Sequence, residues 1–216
     1  MKKILMLFIL VFVCSNMANA FECQSNSECL LLGQAFIKEH KYSKAIKCFD
    51  NAILLKEKNS PAYAYRAAAK FSLKDYEGAF NDASKSLEII QTPYAYVLRA
   101  SSKLAFGNVD GCIEDATMAL FLNPNYIKAY EIRGRAMIAN EDYFNALEDM
   151  GRALKIDKTQ ANVYEIKARS EAGLKDYKTA VKDFETASKL FKEQNKNKES
   201  KLMKKLAKKY QGLILK

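Results

Sequence analysis

From residue 26 onward the apolar and small positions of this 216-residue chain fall at helical spacing and then begin again. Lys41-Tyr42-Ser43-Lys44-Ala45 is echoed by Asp75-Tyr76-Glu77-Gly78-Ala79, Asp142-Tyr143-Phe144-Asn145-Ala146 and Asp176-Tyr177-Lys178-Thr179-Ala180. Asn108-Val109-Asp110-Gly111-Cys112 is a degenerate third copy. The closing small residue sits at 45, 79, 112, 146 and 180, so the spacings are 34, 33, 34 and 34. A period of that size predicts stacked helix hairpins, none of which buries enough apolar surface alone. Beyond them Leu202, Leu206, Tyr210 and Leu213 predict an amphipathic helix over 199–214 that covers the end of the stack. Good helix formers dominate the composition, with three prolines and no tryptophan, as an all-α chain requires.

With units at 26–59, 60–92, 93–126, 127–160 and 161–194, positions can be counted from the first residue of each. Position 8 is small throughout: Gly33, Ala67, Ala100, Gly134 and Ala168. Position 27 is Ala52, Ser86, Ala119, Ala153 and Ala187, and position 20 is the series given above. Position 4 is Tyr63, Tyr96, Tyr130 and Tyr164, with Cys29 in the first copy. On these residues the chain resembles the tetratricopeptide repeat family over residues 26–194. It departs at position 32, where only Pro124 keeps the family's proline and Glu57, Gln91, Lys158 and Lys192 replace it, a difference at repeat ends and not in the core. The resemblance implies an all-α, right-handed α-solenoid of five helix-turn-helix repeats, with 21–25 as lead-in and 195–216 as a basic capping helix. Small residues at positions 8, 20 and 27 let paired helices approach closely while larger side chains fill the gaps around them.

The N-terminus reads as a signal peptide over 1–20. Lys2 and Lys3 precede an apolar run from Ile4 to Val13, and Ala18-Asn19-Ala20 has the form of a cleavage site, so the expected mature chain starts at Phe21. The run is about half of what spans a bilayer, which makes a retained anchor the weaker reading. Phe12 and Val13 speak against lipid attachment at Cys14. A bacterial export signal is expected, and with it a periplasmic or secreted protein. Removing Lys2 and Lys3 lowers the net charge from +10 to +8, and residues 192–216 carry nine lysines and two glutamates. The repeats are therefore nearly neutral and the basicity lies in the tail. In an oxidising compartment Cys23 and Cys29 are spaced to close a short loop onto the first helix, with the reduced pair as the alternative. Cys48 and Cys112 fall at positions that suggest burial.

A charge pattern runs through the repeats. Position 7 is Arg66, Arg99, Arg133 and Lys167, and position 23 is Asp82, Asp115, Asp149 and Asp183; the first copy has Leu32 and Cys48 instead. Cations and anions that appear and vanish together predict a ladder of pairs, within a repeat or across to its neighbour. The alternative is a basic strip for an anionic ligand.

The family resemblance places the first helix of each hairpin on a concave, partner-binding face, at positions 5, 9 and 12. In the first three repeats these are Leu30, Gln34, Ile37, Ala64, Ala68, Phe71, Val97, Ser101 and Leu104, an apolar trough suited to a helix or an extended peptide. In the last two they include Glu131, Arg135, Glu165 and Arg169, with Ile138 and Ala172 at position 12. The plain readings are core packing for the trough and i,i+4 support for the charged pairs. The carboxylate clamp of chaperone-binding relatives is not matched: its positions hold Leu30, Gln34, Tyr65, Tyr94 and Leu98, and a one-repeat shift recovers only Lys128.

No catalytic chemistry is legible. His40, the single histidine, falls in the first inter-helix turn, and there is no phosphate loop, nucleophile elbow or paired-carboxylate setting. Neither a cofactor nor a metal is expected. The expected function is a non-enzymatic scaffold for protein or peptide partners. The alternative is a peripheral binder of anionic membrane or envelope polymer through Lys201, Lys204, Lys205, Lys208 and Lys209. Nucleic acid is a poor partner for an exported chain with little aromatic interleaving.

Overall fold

The computed structural model describes residues 23–214. The expected signal segment, its cleavage point after Ala20 and Cys14 lie outside the described residues. Eleven α-helices follow one another, with no strand among the described residues. They are α1 (Asn26–Lys38), α2 (Tyr42–Leu55), α3 (Ser60–Ser72), α4 (Tyr76–Ile89), α5 (Pro93–Ala105), α6 (Val109–Leu122), α7 (Ile127–Ala139), α8 (Tyr143–Ile156), α9 (Ala161–Gly173), α10 (Tyr177–Glu193) and α11 (Asn197–Ile214). The chain forms two compact units, Met1–Ile89 and Ile90–Lys216. The first holds the hairpins α1–α2 and α3–α4; the second holds α5–α6, α7–α8 and α9–α10, followed by α11. This is an α-solenoid of helix-turn-helix repeats closed by a C-terminal helix.

One turn is used in every hairpin. His40, Lys74, Gly107, Glu141 and Lys175 all have φ between 58° and 78°, in the left-handed region. At each turn the next amide reaches back over the end of the first helix: Lys41 N to Phe36 O, Asp75 N to Lys70 O, Asn108 N to Lys103 O, Asp142 N to Met137 O, and Asp176 N to Glu171 O. That bond closes the Schellman motif and satisfies helix-end carbonyls. Only Gly107 has the residue type that takes this conformation without strain. The following residue then caps the second helix. Side chains of Asp75, Asn108, Asp142 and Asp176 accept from the amides of Gly78, Gly111, Asn145 and Thr179. Lys41 supplies no such cap.

Close helix approach follows the small residues, with a size match at positions 8 and 24 in the first four repeats; the fifth departs from it, with Ala168 and Phe184. A Cβ on Gly33 would meet the Phe49 ring at 2.4 Å, and one on Gly134 would meet Met150 Cε at 2.7 Å. Where position 24 is Ala83 or Ala116, position 8 is Ala67 or Ala100, and all four are fully buried. In the first unit Phe49 packs with Ala45 and Ala69 under Leu30, Ile37 and Tyr65. In the second, a core joins Ala168, Ala180, Phe184, Ala187 and Phe191 to Met203 and Ala207 of α11.

The last helix departs from the expected apolar stripe. Leu202 and Leu213 are exposed, and Ser200, Met203 and Ala207 are buried instead, with Leu206 and Tyr210 packed beside them. The reason is the joint that precedes it. Asn195 has φ 60° and Lys196 N bonds Phe191 O, so α10 and α11 are connected by the same turn that joins the two helices of a hairpin. Counted from that turn, Phe184 falls at position 4, Ser188 at 8, Ser200 at 20 and Ala207 at 27. α10 thus serves twice, as second helix of the fifth repeat and as first helix of a further hairpin. Ser188 and Ser200 meet at its centre, with their hydroxyls 3.0 Å apart.

Candidate partner-binding face

Position 7 is committed to ion pairs within its own repeat. Arg66 grips Asp82 through Nε and a terminal nitrogen at 2.8 and 2.6 Å; Arg99 grips Asp115 at 2.8 and 2.7 Å; Arg133 grips Asp149 at 2.7 and 2.8 Å. Lys167 reaches Asp183 in the fifth repeat. The three aspartates facing arginine are buried, and the bidentate geometry is the strong form of this contact. Hydrogen bonding to Asp82 raises the Arg66 pKa, and Asp115 does the same for Arg99. The free guanidinium nitrogen reaches position 25 of the preceding repeat: Arg66 to Asp50 at 2.6 Å and Arg133 to Thr117 at 2.9 Å. These cations hold the hairpins together, which leaves no basic strip for a ligand at position 7.

The fifth repeat adds Glu171, whose Oε1 accepts from Lys167 at 2.6 Å while its buried Oε2 has no partner. Burial pushes its carboxyl up to about 7, against the Lys167 hydrogen bond that lowers it. Burial also lifts the Cys112 thiol to about 12, as expected of an inert core cysteine.

The first-helix face divides between the two units. In the first, Ala64 is buried and Leu30 and Ile37 pack against the Phe49 core, so these three act mainly as packing. Gln34 and Ala68 are half-buried, and Phe71 lies against Tyr76 with ring centroids 5.2 Å apart. In the second unit Val97, Ser101 and Leu104 are half-buried; Ser101 Oγ donates to Val97 O, and Leu104 packs on the Ala100–Cys112 core.

The charged residues of α7 and α9 form two clusters, one on Glu165 and one on Glu131. Glu165 accepts from Arg169 of its own helix at 2.9 Å and from Arg135 of the previous repeat at 3.3 Å. Arg135 therefore does not make the expected i,i+4 pair with Glu131. Glu131, 6% exposed, accepts through Oε2 from Lys128 at 2.8 Å and Asn162 at 3.4 Å, while Oε1 is buried without a partner. Sequence spacing put Glu131 and Arg135 on one face; it carried no signal for the cross-repeat switch, which follows from how α7 and α9 stack.

Cys23 and Cys29 are joined by a disulfide, with their Cα atoms 5.1 Å apart, against Ala52 and Ala62. Lys201, Lys204, Lys205, Lys208 and Lys209 are all exposed on α11. Among the described residues no group of three His, Cys, Asp or Glu side chains is placed to hold a metal, and no helix is long and apolar enough to cross a membrane. His40 is accounted for by its left-handed turn and by a 2.8 Å contact with Tyr42 Oη.

No protein-family model matches the chain. By sequence it is similar to the Protein STIP1 homolog of Dictyostelium discoideum, 39% identical over 57 residues; the match spans 26% of this chain and a tenth (10%) of that protein. By structure it is similar to TTC0263, a thermophilic TPR protein of Thermus thermophilus, with TM-score 0.73, 14% identity and coverage of 85% of this chain and 98% of that one. MamA from Desulfovibrio magneticus RS-1 gives TM-score 0.66 at 16% identity, over 80% of this chain and 98% of that one. YrrB, described as a TPR protein with an unusual peptide-binding site, gives 0.60 at 14%, over 90% and 97%. The 34-residue register, the shared turn and these likenesses agree on one conclusion: the chain has the tetratricopeptide-repeat fold.

Proposed function

We propose that this protein is a non-enzymatic scaffold of the periplasm or cell envelope, exported with cleavage after Ala20, that binds protein or peptide segments on the first-helix face of its repeats. The observation that carries the reading is the Arg135–Glu165–Arg169 cluster across α7 and α9. Glu165, itself nearly buried, holds Arg169 at 2.9 Å and Arg135 at 3.3 Å and so fixes two half-exposed guanidinium groups on one face. Arg135 and Arg169, each 40% exposed, flank it and offer donors to a partner's carbonyls or carboxylates. YrrB's peptide-binding site lends the reading support by analogy. Ala68 and Phe71 supply the apolar part in the first unit, with the Gln34 carboxamide beside them on the same face. The test is a crosslinking pull-down from intact cells with wild type, Phe71→Glu and Arg169→Glu. Proteins recovered by wild type and lost in either variant identify the half that binds; recovery unchanged in both overturns the reading. Mass spectrometry of the purified chain checks export through an N-terminus at Phe21.

A second reading, attachment to anionic membrane or envelope polymer, is favoured by the exposure of all five α11 lysines opposite the packed face. Co-sedimentation with anionic vesicles that disappears on removing 198–216 would support it.

A further inference from the structure

The hairpin formed by α10 and α11 leaves a groove of about 490 Å³ between its helices. Its floor is Val181, Ser188 and Ala207, all nearly buried and all small for a helix surface. In the register set by the Asn195 turn, Ser188 and Ala207 stand at positions 8 and 27, where helices in this fold approach most closely. Position 25 of the fifth repeat, Glu185, also lines the groove. In the first and third repeats that position receives the arginine of the next repeat's first helix, Arg66 on Asp50 and Arg133 on Thr117. The groove is therefore a seat for a helix, and no described helix occupies it.

Its walls determine the occupant. Lys189 and Lys192 stand on one side, Lys204 and Lys208 on the other, and none of the four makes an ion pair among the described residues. Glu185 is the single acid in the lining. From Val181 to Lys192 the α10 wall runs about 16 Å, three turns of helix. We propose that this groove binds an acidic amphipathic helix of a partner protein. The small apolar face of that helix lies on Val181, Ser188 and Ala207, and its flanking carboxylates meet the four lysines. The lysine methylenes extend the apolar floor while their ammonium groups stay in water until paired. This site is separate from the first-helix face and does not depend on it.

The test uses the mature chain and a fluorescent, end-capped peptide of about 14 residues, with leucines at i, i+3, i+4 and i+7 and glutamates beside them. Binding is read by anisotropy at two salt concentrations. The groove variant is Lys189→Glu/Lys208→Glu. The control, Lys205→Glu/Lys209→Glu, makes the same charge change on exposed lysines outside the groove; circular dichroism checks that both fold. Expected are saturable binding weakened by salt, about tenfold loss in the groove variant, less than about twofold loss in the control, and about tenfold loss with a glutamine-for-glutamate peptide. Equal loss in both variants, equal affinity for the glutamine peptide, or no binding at millimolar peptide overturns the proposal. So does a chain that ignores the peptide but sediments with phosphatidylcholine vesicles carrying about 30% phosphatidylglycerol, which would assign the lysines to a lipid surface.

Discussion

The first and fourth repeats have the same helices and the same turn, yet they are held together by different chemistry. In the fourth, Arg133 and Asp149 lock the two helices by a buried bidentate pair, Asp142 caps the second helix, and Gly134 faces the flexible end of Met150. In the first, Leu32 and Cys48 take the places of the pair, Lys41 leaves the cap unmade, and Gly33 faces the rigid ring of Phe49. A disulfide from Cys23 to Cys29 ties the lead-in to the start of α1. The repeat thus specifies a volume and a turn, whereas the means of joining the helices is free to vary.

The largest effect that tests this contrast is loss of the ion pair. Asp149→Ala leaves the Arg133 guanidinium in a largely buried site without its carboxylate and is expected to cost about 3 kcal/mol in urea unfolding. Cys48→Ala, at the equivalent position of the first repeat, removes only a thiol and is expected to cost about 1 kcal/mol. Equal costs would show that position 23 matters for its volume and not for its charge.

Next in size is the glycine at position 8. Alanine is the better helix former by about 1 kcal/mol, so the outcome depends on what its methyl meets. In Gly33→Ala it meets an aromatic ring fixed in a buried site, and a net loss of about 1–2 kcal/mol is expected. In Gly134→Ala it meets the terminal methyl of Met150, the far end of a flexible side chain, and Ile166 Cγ2 at 3.2 Å, which must give by only a few tenths of an ångström, so a loss smaller than that of Gly33→Ala, under about 1 kcal/mol, is expected. Thermal melts of the two variants measure the difference directly.

What was legible in the sequence follows from what has a period. The small residues at positions 8, 20 and 27 and the coupled charges at 7 and 23 recur every 34 residues or nearly so, and both the hairpins and the Arg–Asp ladder could be read from them. Features without a repeat partner were not. The exposure of Leu202 follows from α11 entering through an intra-hairpin turn at Asn195; asparagine favours the left-handed conformation and marks a helix end, but it does not say that the next helix enters as the second of a hairpin. Arg135 pairs with Glu165 and not with Glu131 because stacking of α7 on α9 brings the second carboxylate closer, a distance no single helix encodes. The left-handed residue carries a sequence signal at Gly107 and Asn195, while His40, Lys74, Glu141 and Lys175 look like ordinary surface residues.

The smallest effect is the missing cap of the first repeat. Lys41 has φ −91° and ψ 59°, close to Asp142 at −84° and 68° and Asp176 at −78° and 70°, so the backbone already has the capping geometry. Lys41→Asp should place a carboxylate within reach of the Lys44 amide and stabilise the chain by about 1 kcal/mol. The exposed Lys41–Glu39 pair that it sacrifices is worth little. Asp142→Lys should lose a similar amount in the fourth repeat. A gain at 41 that matches the loss at 142 would mean that the two turns differ only in the residue supplied. No gain at 41 would mean that the His40–Tyr42 contact, which the other turns lack a histidine to make, already fixes the entry of α2.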